Sequence, residues 1–299
     1  MLDILEKNKD ISHLSNFKTQ AQAQYFFKLE SLDQLSDLKK VFQLIQEKSI
    51  NYLVIGGGSN VLFAFDMFEG IIIQNSLYGW SYNDKSCILD SFTAEPISDI
   101  AKVLETDDNQ PIWHRFIGLP GSIGGAVFGN AGCFGLETEN NFLTAYVLDI
   151  TTGETRILSK NEMNFQYRSS ILKEKQQYFL LKVQFDLSQK IEKYHSDVDN
   201  IYFREHKQPK GNTCGSFFKN PSRDQSAGQL IEKVGLKGFF IGGAYFSDLH
   251  ANFLMSDTGA TFQDLLDLII LARQKVKKEY NIVLEPEVRI ISNNGNIGM

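Results

Sequence analysis

Two glycine-rich stretches and one cluster of cations hold the residues best suited to chemistry. "GLPGSIGGAVFGNAGCFG", residues 118–135, has seven glycines in eighteen positions, and "YLVIGGGSN" runs from a short apolar segment into Gly56, Gly57 and Gly58. Glycine gives up more backbone freedom on folding than any other residue, so such density needs a reason. Successive glycines admit positive φ, and their bare amides can converge on an anion. Ser59, Asn60, Ser122 and Asn130 add short polar side chains beside them. Either loop alone suits a tight turn between packed strands. Two in one chain can cradle a pyrophosphate from both sides. Arg204, His206, Lys207, Lys210, Lys219 and Arg223 fall within twenty residues. They read as a solvated basic face or as a site for a phosphorylated ligand.

Neither loop is a familiar nucleotide motif. No G-x-x-x-x-G-K-[ST] occurs, which excludes a P-loop. In "GGGSNV" the third glycine of a Rossmann fingerprint is Val61, and the following "LFAFDMFEG" is a poor helix. No metal site is expected, because the five histidines are scattered and no Cys or His pair has ligand spacing. Three cysteines, Cys87, Cys133 and Cys214, form no C-x-x-C pair and suit a reducing compartment. A net charge of −6 weighs against nucleic acid as the main partner. No apolar run is long enough to span a membrane, and the start "MLDILEKNKD" has no signal core, so a cytoplasmic protein is expected.

The elements that position these residues follow from periodicity. Leu35, Leu38, Phe42 and Ile45 recur at helical spacing over Ser31–Lys48, with Ser31 and Gln34 as a capping box. "YLVI" and "GIII" read as short buried strands, so roughly the first 75 residues form a small α/β unit. From 80 to 187 the pattern is mostly strands, including "AYVLDI" and "YFLLKVQF", with a turn at "TTGET" and a helix at "PISDIAKVLE". "SQKIEKYHSDVDN" is polar and helix-compatible and can join domains. From about 206 a third region holds a helix near Gln225–Lys233, closed by Gly235, and a longer one over Thr261–Tyr280. If "LEPEVRII" is a strand, Glu285, Glu287 and Arg289 share one face while Val288 and Ile290 point inward. The polar tail "SNNGNIGM" is expected to fray.

Six segments occur in order: "YLVIGGGSNVLFAFDMFEGIII", "GLPGSIGGAVFGNAGCFG", "YRSS", "GSFFKNP", "GLKGFFIGGAYFSDLHANF" and "LEPEVRII". Together they resemble the UDP-N-acetylenolpyruvoylglucosamine reductases, flavoenzymes of bacterial peptidoglycan synthesis, and with that of cell shape and division. The resemblance spans about residues 11–291. It implies an α+β chain with an FAD-binding fold of the vanillyl-alcohol-oxidase type and a C-terminal α+β substrate domain. The implied boundaries are 1–75 for the first FAD-binding subdomain, with a strand over 287–299 returning to it, 76–205 for the second, and 206–286 for the substrate domain.

The resemblance also implies non-covalent FAD, NADPH as hydride donor, UDP-N-acetylglucosamine enolpyruvate as substrate, and a monomer. Gly56, Gly57, Gly58, Ser59, Asn60, Gly118, Pro120, Gly121, Ser122, Gly124, Gly125, Asn130 and Gly132 would wrap the cofactor, where bulk would collide with it. Arg168 in "FQYRSS" would stabilise an enolate, since a guanidinium grips a carboxylate in a fork. Glu287 in "PEVR" would assist, as a hydrogen-bond donor if its pKa were raised. Ser216 in "CGSFFKNP" would donate the proton, with Cys214 on the same face of an extended segment. Tyr167, Lys207, Asn220, Lys237 and His250 would contact the sugar nucleotide.

Some positions depart from the family pattern. Phe134 replaces the usual tyrosine of "NAGxYG", and His250 stands where some members have glutamine. About twelve residues separate "YRSS" from "LLKVQF", too few for a substrate-covering tyrosine loop, so the chain resembles the shorter subtype. Two other readings are a different flavin oxidoreductase, with His114 or Cys133 as covalent anchor, and a nucleotide-sugar binding protein without catalysis.

Overall fold

The computed structural model describes residues 3–188, 200–222 and 224–296. Arg223 and most of "SQKIEKYHSDVDN" lie outside the described residues, as do the last three positions of the tail.

The first part runs β1 (Glu6–Asp10), β2 (Gln22–Leu29), α1 (Leu35–Lys48), β3 (Tyr52–Ile55), β4 (Val61–Phe63) and β5 (Met67–Asn75). Its sheet has the order β1-β2-β5-β3, with β2, β5 and β3 parallel and β1 antiparallel at the edge. Ile71, Ile72 and Ile73 are buried without alternation, as strands covered on both faces require. α1 buries Leu38, Val41, Phe42 and Ile45 against this sheet. The expected capping box of Ser31 and Gln34 is present, but it starts a short 3₁₀ turn that precedes α1.

The second part contains β6 (Trp80–Asn83), β7 (Ile88–Phe92), α2 (Ile97–Thr106), α3 (Ile123–Phe128), β8 (Gly132–Cys133), β9 (Leu136–Glu137), β10 (Phe142–Asp149), β11 (Thr155–Ser159), α4 (Lys160–Met163), α5 (Ile171–Lys175) and β12 (Tyr178–Asp186). Five strands form an antiparallel sheet in the order β11-β10-β12-β7-β6. α2 and α3 pack on it around Trp113, Phe116 and Phe185. "TTGET" turns β10 into β11, as its composition predicts.

The third part holds α6 (Asn200–Lys207), β13 (Asn212–Ser216), α7 (Ala227–Lys233), β14 (Phe240–Ile241), β15 (Ala244–Phe246), β16 (Phe253–Ser256), α8 (Phe262–Tyr280), β17 (Arg289–Ser292) and β18 (Gly295–Asn296). α7 and α8 bury Leu230, Ile231, Leu265, Leu268 and Ile269 in one core. Thr261 caps α8 through a reciprocal bond with Asp264, and Gly235 follows α7 at φ +73°. β17 leaves this core and pairs in parallel with β4, Arg289 opposite Val61. Of the expected "LEPEVRII" strand only its last three residues, from Arg289 on, are regular, and β17 continues one residue beyond them to Ser292. The tail also differs from expectation, since Gly295 and Asn296 fold back on β17 as a short hairpin.

Candidate active site

The two glycine loops face each other. Gly58 sits at φ +70°, and a Cβ there would overlap the Leu14 carbonyl. Gly121 sits at φ +121°, where a Cβ would come 2.8 Å from Ser59 Oγ; one on Gly56 would lie 3.1 Å from Ser122 Oγ. On Gly124 it would meet Thr93 at 2.9 Å, and on Gly132 it would meet the Leu136 carbonyl at 2.7 Å. Most of these glycines are therefore needed by the protein itself, because bare backbone lets the loops pack together. Cofactor bulk explains only the rest. Among the described residues nothing lies within 4 Å of a would-be Cβ on Gly57, which opens into the space between the loops.

That space is a cavity of about 740 Å³, at the large end for ligand sites. It is lined by Gly56, Gly57, Gly58, Ser59, Asn60, Gly118, Pro120, Gly121, Ser122, Gly124, Gly125 and Gly132, and also by Arg168, Ser216 and Glu287. Asn130 is different. It is fully buried, its Nδ2 donates to Glu137 Oε2 and the Gln166 carbonyl, and its Oδ1 accepts from Glu139 N. It holds the loop from behind instead of facing the cavity.

Arg168 occupies the second position of a two-residue reversal. Gln166 and Ser169 exchange backbone hydrogen bonds of 3.1 and 3.0 Å, and Arg168 sits at φ +55°. Its Nε donates to Glu287 Oε1 at 2.6 Å and its Nη2 donates to the Gly132 carbonyl at 3.1 Å. Glu287 thus accepts, where the sequence raised the prospect of a donor. Its backbone is fixed by Glu287 N on the Phe217 carbonyl, and its carbonyl accepts from Asn60 Nδ2. Lys219 takes the other acid, Glu285, at 3.3 Å.

Ser216 ends β13 and is exposed on the cavity wall. The regular alternation that would put Cys214 on its face is broken, although both residues border the cavity. Gly215 has φ +80° and the β13–β16 register slips between Thr213 and Ser216, which breaks the two-residue alternation. Cys214 is buried with Sγ directed to the Val61 carbonyl, and burial pushes its pKa up to about 12.

The residues expected at the sugar nucleotide are more dispersed. Tyr167 is exposed, with the Arg168 guanidinium 5.1 Å from its ring centroid. Lys207 ends α6, just before Gln208, Pro209 and Lys210 of the wall. Asn220 Oδ1 accepts from Ala227 N, Lys237 pairs with Glu232 at 2.9 Å, and His250 Nδ1 accepts from Asn252 N. Burial pushes the His250 pKa down. None of these five lines the cavity.

Four further cations do line it, Lys210 among them. Arg204 stands beside Gly118, its buried Nε and Nη2 without hydrogen-bond partners among the described residues. The basic cluster had flagged it, though for no role of its own. Arg289 lies with its guanidinium 5.0 Å from the Phe128 ring centroid. Lys173 donates to the Arg168 carbonyl at 2.9 Å and carries no motif that sequence reading could seize on. The open backbone at Gly57 and the orphaned Arg204 donors fit a large anionic ligand such as a dinucleotide. Neither proposed covalent anchor faces it: His114 Nδ1 lies 2.6 Å from Glu105 Oε2, and Cys133 Sγ donates to the Arg115 carbonyl.

Comparison with known proteins gives the same picture. Residues 25–159 match the family model of an FAD binding domain. Residues 207–291 match that of the UDP-N-acetylenolpyruvoylglucosamine reductase C-terminal domain. The UDP-N-acetylenolpyruvoylglucosamine reductase of Aquifex aeolicus is 32% identical over 300 residues, covering 98% of this chain and 97% of its own. That of Clostridium beijerinckii is 37% identical over 262 residues, covering 86% and 84%. The crystal structure of the Thermus caldophilus enzyme superposes with a TM-score of 0.76 at 24% identity, covering 96% of this chain and 98% of that one, a likeness of fold. The chain belongs to the UDP-N-acetylenolpyruvoylglucosamine reductase family, and the α+β FAD-binding fold with an added C-terminal domain is borne out. It is an FAD-dependent oxidoreductase. Among the described residues no helix is long and apolar enough to cross a membrane.

Proposed function

We propose that this chain reduces UDP-N-acetylglucosamine enolpyruvate to UDP-N-acetylmuramate, with NADPH as hydride donor and FAD held non-covalently, in peptidoglycan precursor synthesis. One observation carries the reading: Arg168, Glu287 and Ser216 line the same cavity as both glycine loops. FAD, when bound, would supply the hydride chemistry that links NADPH to the enolpyruvyl methylene carbon.

The protein's own residues do the rest. The glycine loops hold the pyrophosphate, with Ser59, Asn60, Pro120 and Ser122 among them and Asn130 bracing the second from behind. Arg168 binds the substrate carboxylate. Two of its five N–H donors are committed to Glu287 and Gly132, so the others remain for a ligand. Charge that develops on the carboxylate side as hydride arrives is stabilised by this fixed cation. Glu287 sets the plane of the guanidinium. Ser216 passes its hydroxyl proton to the carbon that bears the carboxylate, completing the addition of two hydrogens across the double bond. Lys207 and Tyr167 reach the sugar nucleotide from the rim. Asn220, Lys237 and His250 meet it only where it extends past the cavity. The short link through α5 leaves no tyrosine loop to cover the substrate.

The test is NADPH consumption by FAD-loaded protein. Consumption that depends on the enolpyruvyl substrate, with a product carrying the two added hydrogens, is expected. Consumption indifferent to that substrate would sink the proposal.

A further inference from the structure

Arg168 holds a conformation that its own chemistry disfavours. Positive φ at the second residue of a tight reversal suits glycine or asparagine. A longer L side chain there carries a penalty of about 1–2 kcal/mol. Something outside the turn must select it. The Arg168 carbonyl receives Lys173 Nζ at 2.9 Å. Lys173 is itself anchored: its N–H donates to the Ser170 carbonyl, and Ser170 Oγ donates to the Phe128 carbonyl at 2.8 Å.

Lys173 is badly placed for a cation. It is half-buried, and burial, then Lys219 and Arg289, push its pKa down, with Arg168 adding to this and Glu287 opposing it. An ammonium kept among three other cations needs an acceptor, and the Arg168 carbonyl is one.

We propose that Lys173 is a positioning residue for the reduction: it holds the Arg168 backbone left-handed and so aims the guanidinium at Glu287 and the cavity. This rests on the role given to Arg168 above. If Lys173 lets go, the turn can relax to negative φ, and the guanidinium leaves the line to Glu287.

The experiment is stopped-flow measurement of both half-reactions on FAD-loaded protein, for Lys173→Met, Lys173→Gln and Lys173→Arg, and for Lys173→Met combined with Arg168→Ala. In Lys173→Met, flavin reduction by NADPH should stay within about twofold. Reoxidation by the enolpyruvyl substrate should slow about tenfold, the rate equivalent of the left-handed penalty. Lys173→Arg should recover most of that loss. In the Arg168→Ala background, Lys173→Met should slow reoxidation no further, since its target is gone.

A full additional loss in that background would overturn the proposal, because Lys173 would then act on substrate directly. Equal slowing of both half-reactions would overturn it too. So would loss of flavin in both Lys173→Met and Lys173→Gln, which would make Lys173 a folding residue. Wild-type protein that fails to reoxidise with the substrate would instead refute the proposed function itself.

Discussion

Arg168 Nε lies 2.6 Å from Glu287 Oε1, joining residues 119 positions apart in the chain. Arg168 comes from a reversal behind the second glycine loop. Glu287 comes from the link between the C-terminal core and β17, the strand that pairs with β4. The ion pair is therefore made only when the third part of the chain has docked on the first two. Its two side chains are 24% and 22% exposed, so the pair sits at the cavity edge, where a ligand can reach it.

Removing either partner should act on the second half-reaction. Arg168→Ala removes the cation from developing charge, and reoxidation by substrate should slow about 10²–10³-fold. Glu287→Ala leaves the guanidinium present but unaimed, and the loss should be smaller. In both variants, flavin reduction by NADPH should remain close to wild type. Single-turnover rates of the two half-reactions check this, and equal losses in both would argue against these roles.

Ser216→Ala removes the proposed proton donor without touching the buried core. General acid catalysis contributes about 10²–10⁴-fold, and reoxidation should fall by that order. Ser216→Cys keeps a transferable proton at the same place and should retain part of the activity. An alanine variant that turns over at the wild-type rate would remove Ser216 from the mechanism.

Gly57 and Gly58 are adjacent and should answer differently. At Gly58, alanine meets the Leu14 carbonyl and a φ of +70°, and should destabilise the fold by more than about 1 kcal/mol. At Gly57 there is open space, so the variant's melting temperature without FAD should match wild type. Its FAD affinity should fall, because the methyl group enters the cavity. Thermal melts with and without FAD separate the two effects. Unchanged FAD affinity in Gly57→Ala would contradict the cradle.

Cys214 should be inert. Only a thiolate is a strong nucleophile, and this thiol, pushed up to about 12, stays protonated at neutral pH. Thiol titration at pH 8 should label Cys214 only after unfolding. The folded pKa exceeds the unfolded value near 9, so folded protein holds the proton more tightly above that pH. The stability it adds is fully present below about pH 9 and is lost as pH rises toward 12. Labelling of Cys214 in native protein at pH 8 would contradict its burial.

Local patterns were legible and long-range ones were not. The α1 stripe, the Ser31 capping box, the extent of α8 and the strand–glycine junction at Ile55 depend on neighbours a few residues away, and sequence reading found them. Gly215 shows the limit. One positive φ and a slipped register bury Cys214 and leave Ser216 exposed, which no alternation rule predicts. The glycines were found for an incomplete reason, since Gly56 and Gly121 answer to Ser122 and Ser59 of the opposite loop. Lys173 had no signal, because its partner is a backbone carbonyl. Lys237 had the family's signal, yet it lies off the cavity and paired with Glu232.

The most direct test of the central claim is an anaerobic visible spectrum of the FAD-loaded protein, recorded through two additions. NADPH should bleach the flavin band, and UDP-N-acetylglucosamine enolpyruvate should then restore it. A band that bleaches and stays bleached after the second addition would contradict the claim that this cavity reduces the enolpyruvyl group.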